Sequence, residues 1–182
     1  MQKRNIHIQS KSQPRLQSKR LTLRPYTLAD AAEVQVLAGD NRIAKQTMSI
    51  RHPYEDGMAE KWISSLDEKW QKRERVEFAI ILKENSTYIG SMSFVSVEGV
   101  EAEIGYWIGY PYWNNGYCTE AGKLLVKFGL TKMCLNKITA RHLATNPASG
   151  KILENLGLIW SKSEYQKDRY GKSVKFEFFE TP

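Results

Sequence analysis

The stretch Tyr112-Trp113-Asn114-Asn115-Gly116-Tyr117-Cys118-Thr119-Glu120-Ala121 decides how the rest of the chain is read. It follows an apolar, aromatic-rich run, Ile104 to Tyr110, that reads as a strand, and it precedes a helical pattern. In that pattern Ala121, Leu124, Leu125, Phe128 and Gly129 or Lys132 recur at three- and four-residue spacing. A strand therefore turns abruptly into a helix. Lacking a Cβ, Gly116 lets the backbone come close to a ligand, and the free amides of a helix start carry about half a positive charge. Such a turn is a ready anion site. Strand-glycine-helix turns without ligands occur throughout α/β proteins, so the rest of the chain has to choose between the two readings.

The chain has 182 residues, 41% of them hydrophobic, which suits one domain with a proper core. Its formal charge of +7 is unevenly placed. Residues 1 to 20 hold Lys3, Arg4, Lys11, Arg15, Lys19 and Arg20 and no acid, which leaves 21 bases against 20 acids in the remainder. The basic balance thus describes a tail on a nearly neutral body, and it is no evidence for a nucleic-acid groove within the fold. Cys118 and Cys134 match neither a disulfide scaffold nor a zinc motif, and they read as free thiols in a reducing compartment. The N-terminus lacks an apolar h-region, and no run approaches the roughly 18 apolar residues of a membrane span. The expectation is a soluble, cytoplasmic protein with no membrane or metal partner.

Residues 1 to 18 are polar and aperiodic, and read as a basic flexible arm or an added first strand. The single domain then spans 19 to 182. Arg20 to Arg24 alternates as a strand that Pro25 ends. Thr27 and Asp30 resemble a capping box ahead of a helix that stops near Gly39. A second helix is expected from about Glu55 to Arg73, with Met58, Trp62, Ile63, Leu66 and Trp70 as a stripe that packs into the core. Val76 to Leu82, Tyr88 to Val97 and Ala102 to Tyr110 read as an antiparallel meander with short turns. After the Gly116 helix come a strand at Lys137 to Leu143 and a helix opened by the Asn146 cap and Pro147 and closed by Gly157. Leu158 to Tyr165 and Ser173 to Phe179 are the last strands. The order β-α-α-β-β-β-α-β-α-β-β gives a mixed α/β or α+β layer without internal repeats.

Taken together, several of these segments resemble the RimJ/RimL-like branch of the GNAT N-acetyltransferases. The residues that carry the likeness are Leu21-Thr22-Leu23-Arg24-Pro25, Ile89-Gly90, Glu103-Ile104-Gly105-Tyr106-Trp107-Ile108, the Tyr112 to Ala121 stretch, Asn146-Pro147-Ala148-Ser149 and Leu156-Gly157-Leu158. They occur in the family's order and spacing over about residues 18 to 180. The resemblance implies a mixed, mostly antiparallel sheet flanked by helices and splayed between its fourth and fifth core strands, Ala102 to Tyr110 and Lys137 to Leu143. It also implies acetyl-CoA as co-substrate in that cleft, with pantetheine against the backbone near Trp107 and Ile108 and pyrophosphate on the amides of Asn114 to Cys118. The cofactor-binding set it implies is Trp107, Ile108, Trp113, Asn114, Asn115, Gly116, Tyr117, Cys118, Thr119 and Asn146. The family's loop favours Gly or Ala where Cys118 stands, so a larger side chain faces the phosphates.

The implied chemistry is direct attack of an amine on a thioester through a tetrahedral intermediate. It needs a neutral amine, a donor for the oxyanion and a proton for the departing thiolate. By resemblance the Ile108 amide is the donor. Many members use a Tyr on the helix after the fifth strand as acid, but residues 147 to 156 contain none, and Ser149 takes the place of the acid of RimL-like enzymes. Ser149 also suits a helix start. Glu103, on the splayed strand, is the expected base through water, or else an exposed strand carboxylate. Glu120 is explained by the helix dipole, and His142 reads as an ordinary strand histidine. Cys118 at a helix start is open to a lowered pKa and a mixed disulfide with CoA.

The branch acts on protein N-termini, notably ribosomal ones, and on polyamines, antibiotics and free amino compounds. At pH 7 an α-amine costs about 1 kcal/mol to deprotonate and a lysine about 4.6 kcal/mol, so a site with one doubtful base suits an α-amine. A small-molecule amine is the alternative within enzymes, and an acidic pocket would favour a polyamine. The alternative from another class is a non-catalytic nucleic-acid or ribosome-binding module that uses the basic arm. Ribosome association through that arm is the expected partnership, and a homodimer stays open.

Overall fold

A computed structural model describes residues 12–182 of the chain. A two-residue strand, Leu16–Gln17 (β1), turns back onto Leu21–Arg24 (β2), pairing Leu16 with Leu23. A 3-10 turn at Leu28–Asp30 then opens helix α1, Ala31–Ala38. The Thr27 N–H donates to Asp30 Oδ2 at 2.8 Å, as the capping pattern foretold. Burial alone would raise the Asp30 carboxyl, but the Arg24 guanidinium, at 2.6 and 2.8 Å, holds its pKa below the ordinary value. That bidentate pair fixes the corner between β2 and α1.

Helix α2, Asn41–Gln46, follows, capped by Asp40 accepting from the Arg42 N–H at 2.9 Å. The single helix expected over 55–73 is two: Met58–Ser64 (α3) and Leu66–Gln71 (α4). The break is at Ser65, whose N–H and Oγ both donate to the Trp62 carbonyl, a local bond that competes with the helical ladder. The break sends one stripe into two cores. Trp70 is buried in the first, while Trp62 lies edge-on to Tyr26 at 4.8 Å in the second.

Val76–Leu82 (β3), Tyr88–Glu98 (β4) and Glu101–Ile108 (β5) form the antiparallel meander. After a 3-10 turn at Tyr110–Tyr112 come α5, Tyr117–Thr131; β6, Lys137–Leu143; α6, Pro147–Asn155; β7, Ile159–Lys167; and β8, Ser173–Glu180. All eight strands join one sheet in the order β1-β2-β3-β4-β5-β6-β8-β7. Strand alternation divides its faces. Leu21, Leu23, Phe78, Ile80, Phe94 and Ile104 pack under α5 through Ala121, Leu125 and Phe128. Ala79, Ile81 and Tyr88 pack on the other face against Ala31, Val34 and Ile63 of α1 and α3. Burying a side chain such as Leu125 contributes about 2 kcal/mol, so α5 is held against the sheet mainly by its apolar face.

One junction interrupts this layer. β5 and β6 run parallel and pair only from Glu101↔Lys137 to Ile104↔Ala140. Beyond Ile104, β5 continues along β4 to Ile108, while β6 continues along β8 to Leu143. The two strands part, and the α/β (α+β) sheet is splayed between its fourth and fifth core strands as expected.

Candidate active site

The polarity of the opening follows from the strand register. Gly90 and Ile108 face each other across β4 and β5, and the Gly109 N–H donates to the Ile89 carbonyl at 2.8 Å. In an antiparallel ladder this makes Gly90 and Ile108 a non-hydrogen-bonded pair. The N–H and C=O of Ile108, and two residues earlier those of Tyr106, therefore point away from β4 into the opening. Trp107 is the opposite case. Its carbonyl lies so near β4 that a Cβ built on Gly90 would sit 2.3 Å from it. The expectation that the Trp107 backbone faces a ligand is thus corrected to Tyr106 and Ile108. The Trp107 ring packs edge-on to Tyr88, 6.1 Å away, on the α1 face.

The loop beyond β5 is tied back to it. Trp113 Nε1 donates to the Ile108 carbonyl at 2.6 Å, which leaves the Ile108 N–H as the donor facing the opening. Asn115 Nδ2 donates to the Trp113 carbonyl at 2.8 Å, folding that side chain under the loop. Asn114 and Gly116 are left-handed, with φ of 61° and 72°, and Gly116 caps α5. A Cβ on Gly116 would meet nothing nearer than Arg20 Nη2 at 3.7 Å, so the approach to the first-turn amides of Tyr117, Cys118 and Thr119 is open.

Arg20 reaches this rim from the other end of the chain. Its Nε donates to Glu120 Oε2 at 2.6 Å, its Nη1 donates to the Asn115 carbonyl at 3.1 Å, and its guanidinium lies over the Tyr117 ring. Glu120 Oε1 accepts from Ser18 Oγ at 2.7 Å and from the Arg20 N–H at 3.0 Å. Burial would raise the Glu120 carboxyl, but these donors hold it below the ordinary carboxylate range. Glu120 therefore does more than oppose a helix dipole, and Arg20 belongs to the loop rather than to a free arm.

Across the opening, Asn146 caps α6 by accepting from the Ser149 N–H at 3.2 Å. Ser149 is buried, and its Oγ lies 2.8 Å from Tyr106 Oη, which also donates to the Ser149 carbonyl at 3.1 Å. A hydroxyl pair thus bridges β5 and α6. Burial pushes the Tyr106 phenol well above its ordinary pKa, so it keeps its proton at neutral pH.

Residues 20–159 match the family described as the acetyltransferase (GNAT) domain. The chain belongs to the GNAT family. It is 33% identical over 144 residues to the uncharacterized N-acetyltransferase p20 of Bacillus licheniformis, covering 78% of this chain and 80% of that one. Among solved structures, its fold is similar to RimL, a ribosomal L7/L12 alpha-N-protein acetyltransferase in complex with coenzyme A, with TM-score 0.81, 14% identity and 90% and 94% of the two chains covered. It is similar also to Mycobacterium smegmatis RimJ in complex with a CoA-disulfide, with TM-score 0.79, 19% identity and coverage of 92% and 85%. The protein is an acetyl-CoA-dependent N-acetyltransferase.

The residues present fit that co-substrate. A GNAT chain needs an anion cradle beside an open strand edge, and here the glycine-capped start of α5 and the Tyr106 and Ile108 backbone supply both. Two expectations fare differently. Burial pushes the Cys118 thiol up, in the direction opposite to the lowered pKa expected at a helix start. Glu103 lies in the still-paired half of the sheet, where its Oε1 accepts from Arg141 Nε at 3.1 Å. At a rise of about 3.3 Å per residue, its Cα is about 16 Å from that of Ile108, which does not suit a base. Glu103→Gln should therefore leave the pH profile of kcat/KM like that of wild type, and a selective loss at low pH would restore Glu103 as the base.

His142 is the ordinary strand histidine expected, with Nδ1 2.8 Å from the Leu143 carbonyl and its ring against Gly150. Sequence reasoning singled out neither Tyr106, which contacts Ser149, nor Arg20, which contacts Glu120 and the loop. Strand alternation from Ile104 and Ile108 would have put Tyr106 on the helix-covered face with them. No local signal links Arg20 to Gly116.

Proposed function

We propose that this acetyltransferase acts on the α-amine of a protein or peptide N-terminus, with ribosomal proteins as the acceptor class. The observation that carries the reading is the place of Glu103, held by Arg141 in the paired half of the sheet. Without Glu103 as its base, the amine is best served by a pKa near the working pH. An α-amine at pH 7 meets this at about 1 kcal/mol, and a lysine or polyamine ammonium does not.

Acetyl-CoA supplies an acetyl group activated as a thioester. The amides from Asn114 to Thr119, with Arg20 at the rim, would hold its phosphates, and the Tyr106 and Ile108 backbone would line the path of its pantetheine. The Ile108 N–H is the donor available to a carbonyl oxygen in the opening. Ser149 Oγ can give its proton to the departing thiolate, Tyr106 Oη, 2.8 Å away, can turn its own proton from the Ser149 carbonyl onto Ser149 Oγ, and the proton shed by the attacking nitrogen restores the pair through solvent. A thiolate of pKa about 8.5 needs little more.

The acceptor is tested by kcat/KM for peptides with free N-termini against polyamines and free amino compounds. Peptides should be preferred, and efficient turnover of a polyamine with none of peptides would favour the small-molecule reading. The basic residues Lys3, Arg4 and Lys11 lie outside the described residues, and their docking to the ribosome is part of the same proposal. Truncation should stop at residue 11, because Gln13 Nε2 donates to the Glu77 carbonyl and Ser18 holds Glu120. The truncated enzyme should lose salt-sensitive activity on intact ribosomal particles and keep activity on a free peptide.

A further inference from the structure

A cavity of about 500 Å³ lies where the end of β6 meets α2 and the turn between β7 and β8, a size common among small-ligand sites. The segment from Leu143 to Thr145 lines it, directly before the Asn146 cap. His142 faces α6 through Gly150, so alternation turns Leu143 to the opposite face, the side of α1 and α2. The cavity thus abuts the β6 side of the opening from the face that the phosphate loop does not occupy.

Its lining is cationic. Lys45, Arg169, Lys172 and Lys175 stand there with one carboxylate, Asp168. Asp168 Oδ1 already accepts from the Tyr170 and Lys172 N–H groups, at 2.8 and 2.9 Å. Arg169 donates to the carbonyls of Ala44 and Thr47, each at 2.7 Å, and of Ile50. These partners are dipoles rather than anions, so they fix Arg169 in place and leave its charge uncompensated. Lys175 pairs with Glu177 at 3.0 Å, whereas Lys45 and Lys172 make no ion pair among the described residues. A cationic acceptor such as a polyamine would enter against this field, and an anionic one would be drawn in.

We propose that this cavity receives an acceptor that is negatively charged beside its amine, so that the preferred N-termini carry Asp or Glu within their first few residues. This rests on the N-terminal reading above. The charge comes from side chains on two segments, α2 and the β7–β8 hairpin, that converge at the end of β6, and Arg169 ties the two together.

The test compares kcat/KM for three peptides with the same first residue: one followed by Asp and Glu, its Asn and Gln counterpart, and one with Lys there. The same peptides are given to Lys45→Glu/Lys172→Glu, two exposed positions, with the acetyl-CoA Kd and melting temperature as controls for folding. The acidic peptide should exceed its neutral counterpart by about tenfold at low salt. The advantage should shrink as salt is added and vanish or invert in the double variant. Equal rates for acidic and neutral peptides, or a preference that survives charge reversal, would overturn the proposal. If free aspartate turns over with the same dependence on Lys45 and Lys172 while no peptide does, the N-terminal reading fails and the anionic acceptor stands.

Discussion

Ser149→Ala is expected to lower kcat about a hundredfold while the Kd for acetyl-CoA stays within about twofold. The reason is the hydroxyl pair. Ser149 Oγ is buried at the start of α6 and lies 2.8 Å from Tyr106 Oη, whose proton burial holds through neutral pH. An alanine removes the proton donor and leaves the backbone cap, because Asn146 bonds the Ser149 N–H and not its side chain. The loss should therefore appear in turnover and not in binding. Ser149→Thr keeps a hydroxyl and should recover much of the rate, and Tyr106→Phe should cost about tenfold in kcat. Should Ser149→Ala weaken acetyl-CoA binding and spare kcat, Ser149 is a cap or a binding contact.

The second large effect falls on Gly116. Gly116→Val should raise the acetyl-CoA dissociation constant about tenfold or more, which is about 1.4 kcal/mol or greater. The φ of 72° is unfavourable for a β-branched residue, and its side chain would enter the open space at the cap of α5, beside Arg20. Gly116→Asn separates the two causes, since Asn tolerates the left-handed region but still brings a Cβ. It should keep the melting temperature and still weaken binding. Arg20→Ala should weaken binding by a smaller factor, about threefold, through the lost cation at the rim. Wild-type affinity in a folded Gly116→Val protein would remove the phosphate cradle.

Local pattern made most of this fold legible in the sequence. The stripe of Ala121, Leu125 and Phe128 shows α5, and the buried runs of β3 and β4 bounded by turns show the meander. Helix α2 escaped because its six residues bury only Ile43 and Ala44, too few for a period. The break at Ser65 escaped because the apolar stripe continues across it while a single hydroxyl ends the ladder. The phase of the β4–β5 bonds, which decides that Ile108 and not Trp107 faces the opening, depends on the pairing register and not on residue type. Arg20 and Glu120 are 100 residues apart, and Tyr106 and Ser149 are 43 apart, so only the folded sheet brings each pair together. Gly116, Asn146 and Ser149 were legible as local turn and cap chemistry, and they stand around the opening. Glu103 was a residue type matched to a task, and its ion pair with Arg141 places it elsewhere.

The central claim is that acetyl-CoA lies in the splay beyond Ile104 and bonds the strand edge that β6 abandons. Amide hydrogen exchange, read residue by residue with and without saturating acetyl-CoA, tests it most directly. The Ile108 and Tyr106 amides should exchange quickly in the free protein and become protected by the ligand, together with Tyr117, Cys118 and Thr119. Trp107, already bonded to β4, should be protected in both states. Protection confined to other segments, or an Ile108 amide that exchanges equally fast in both states, would contradict the account.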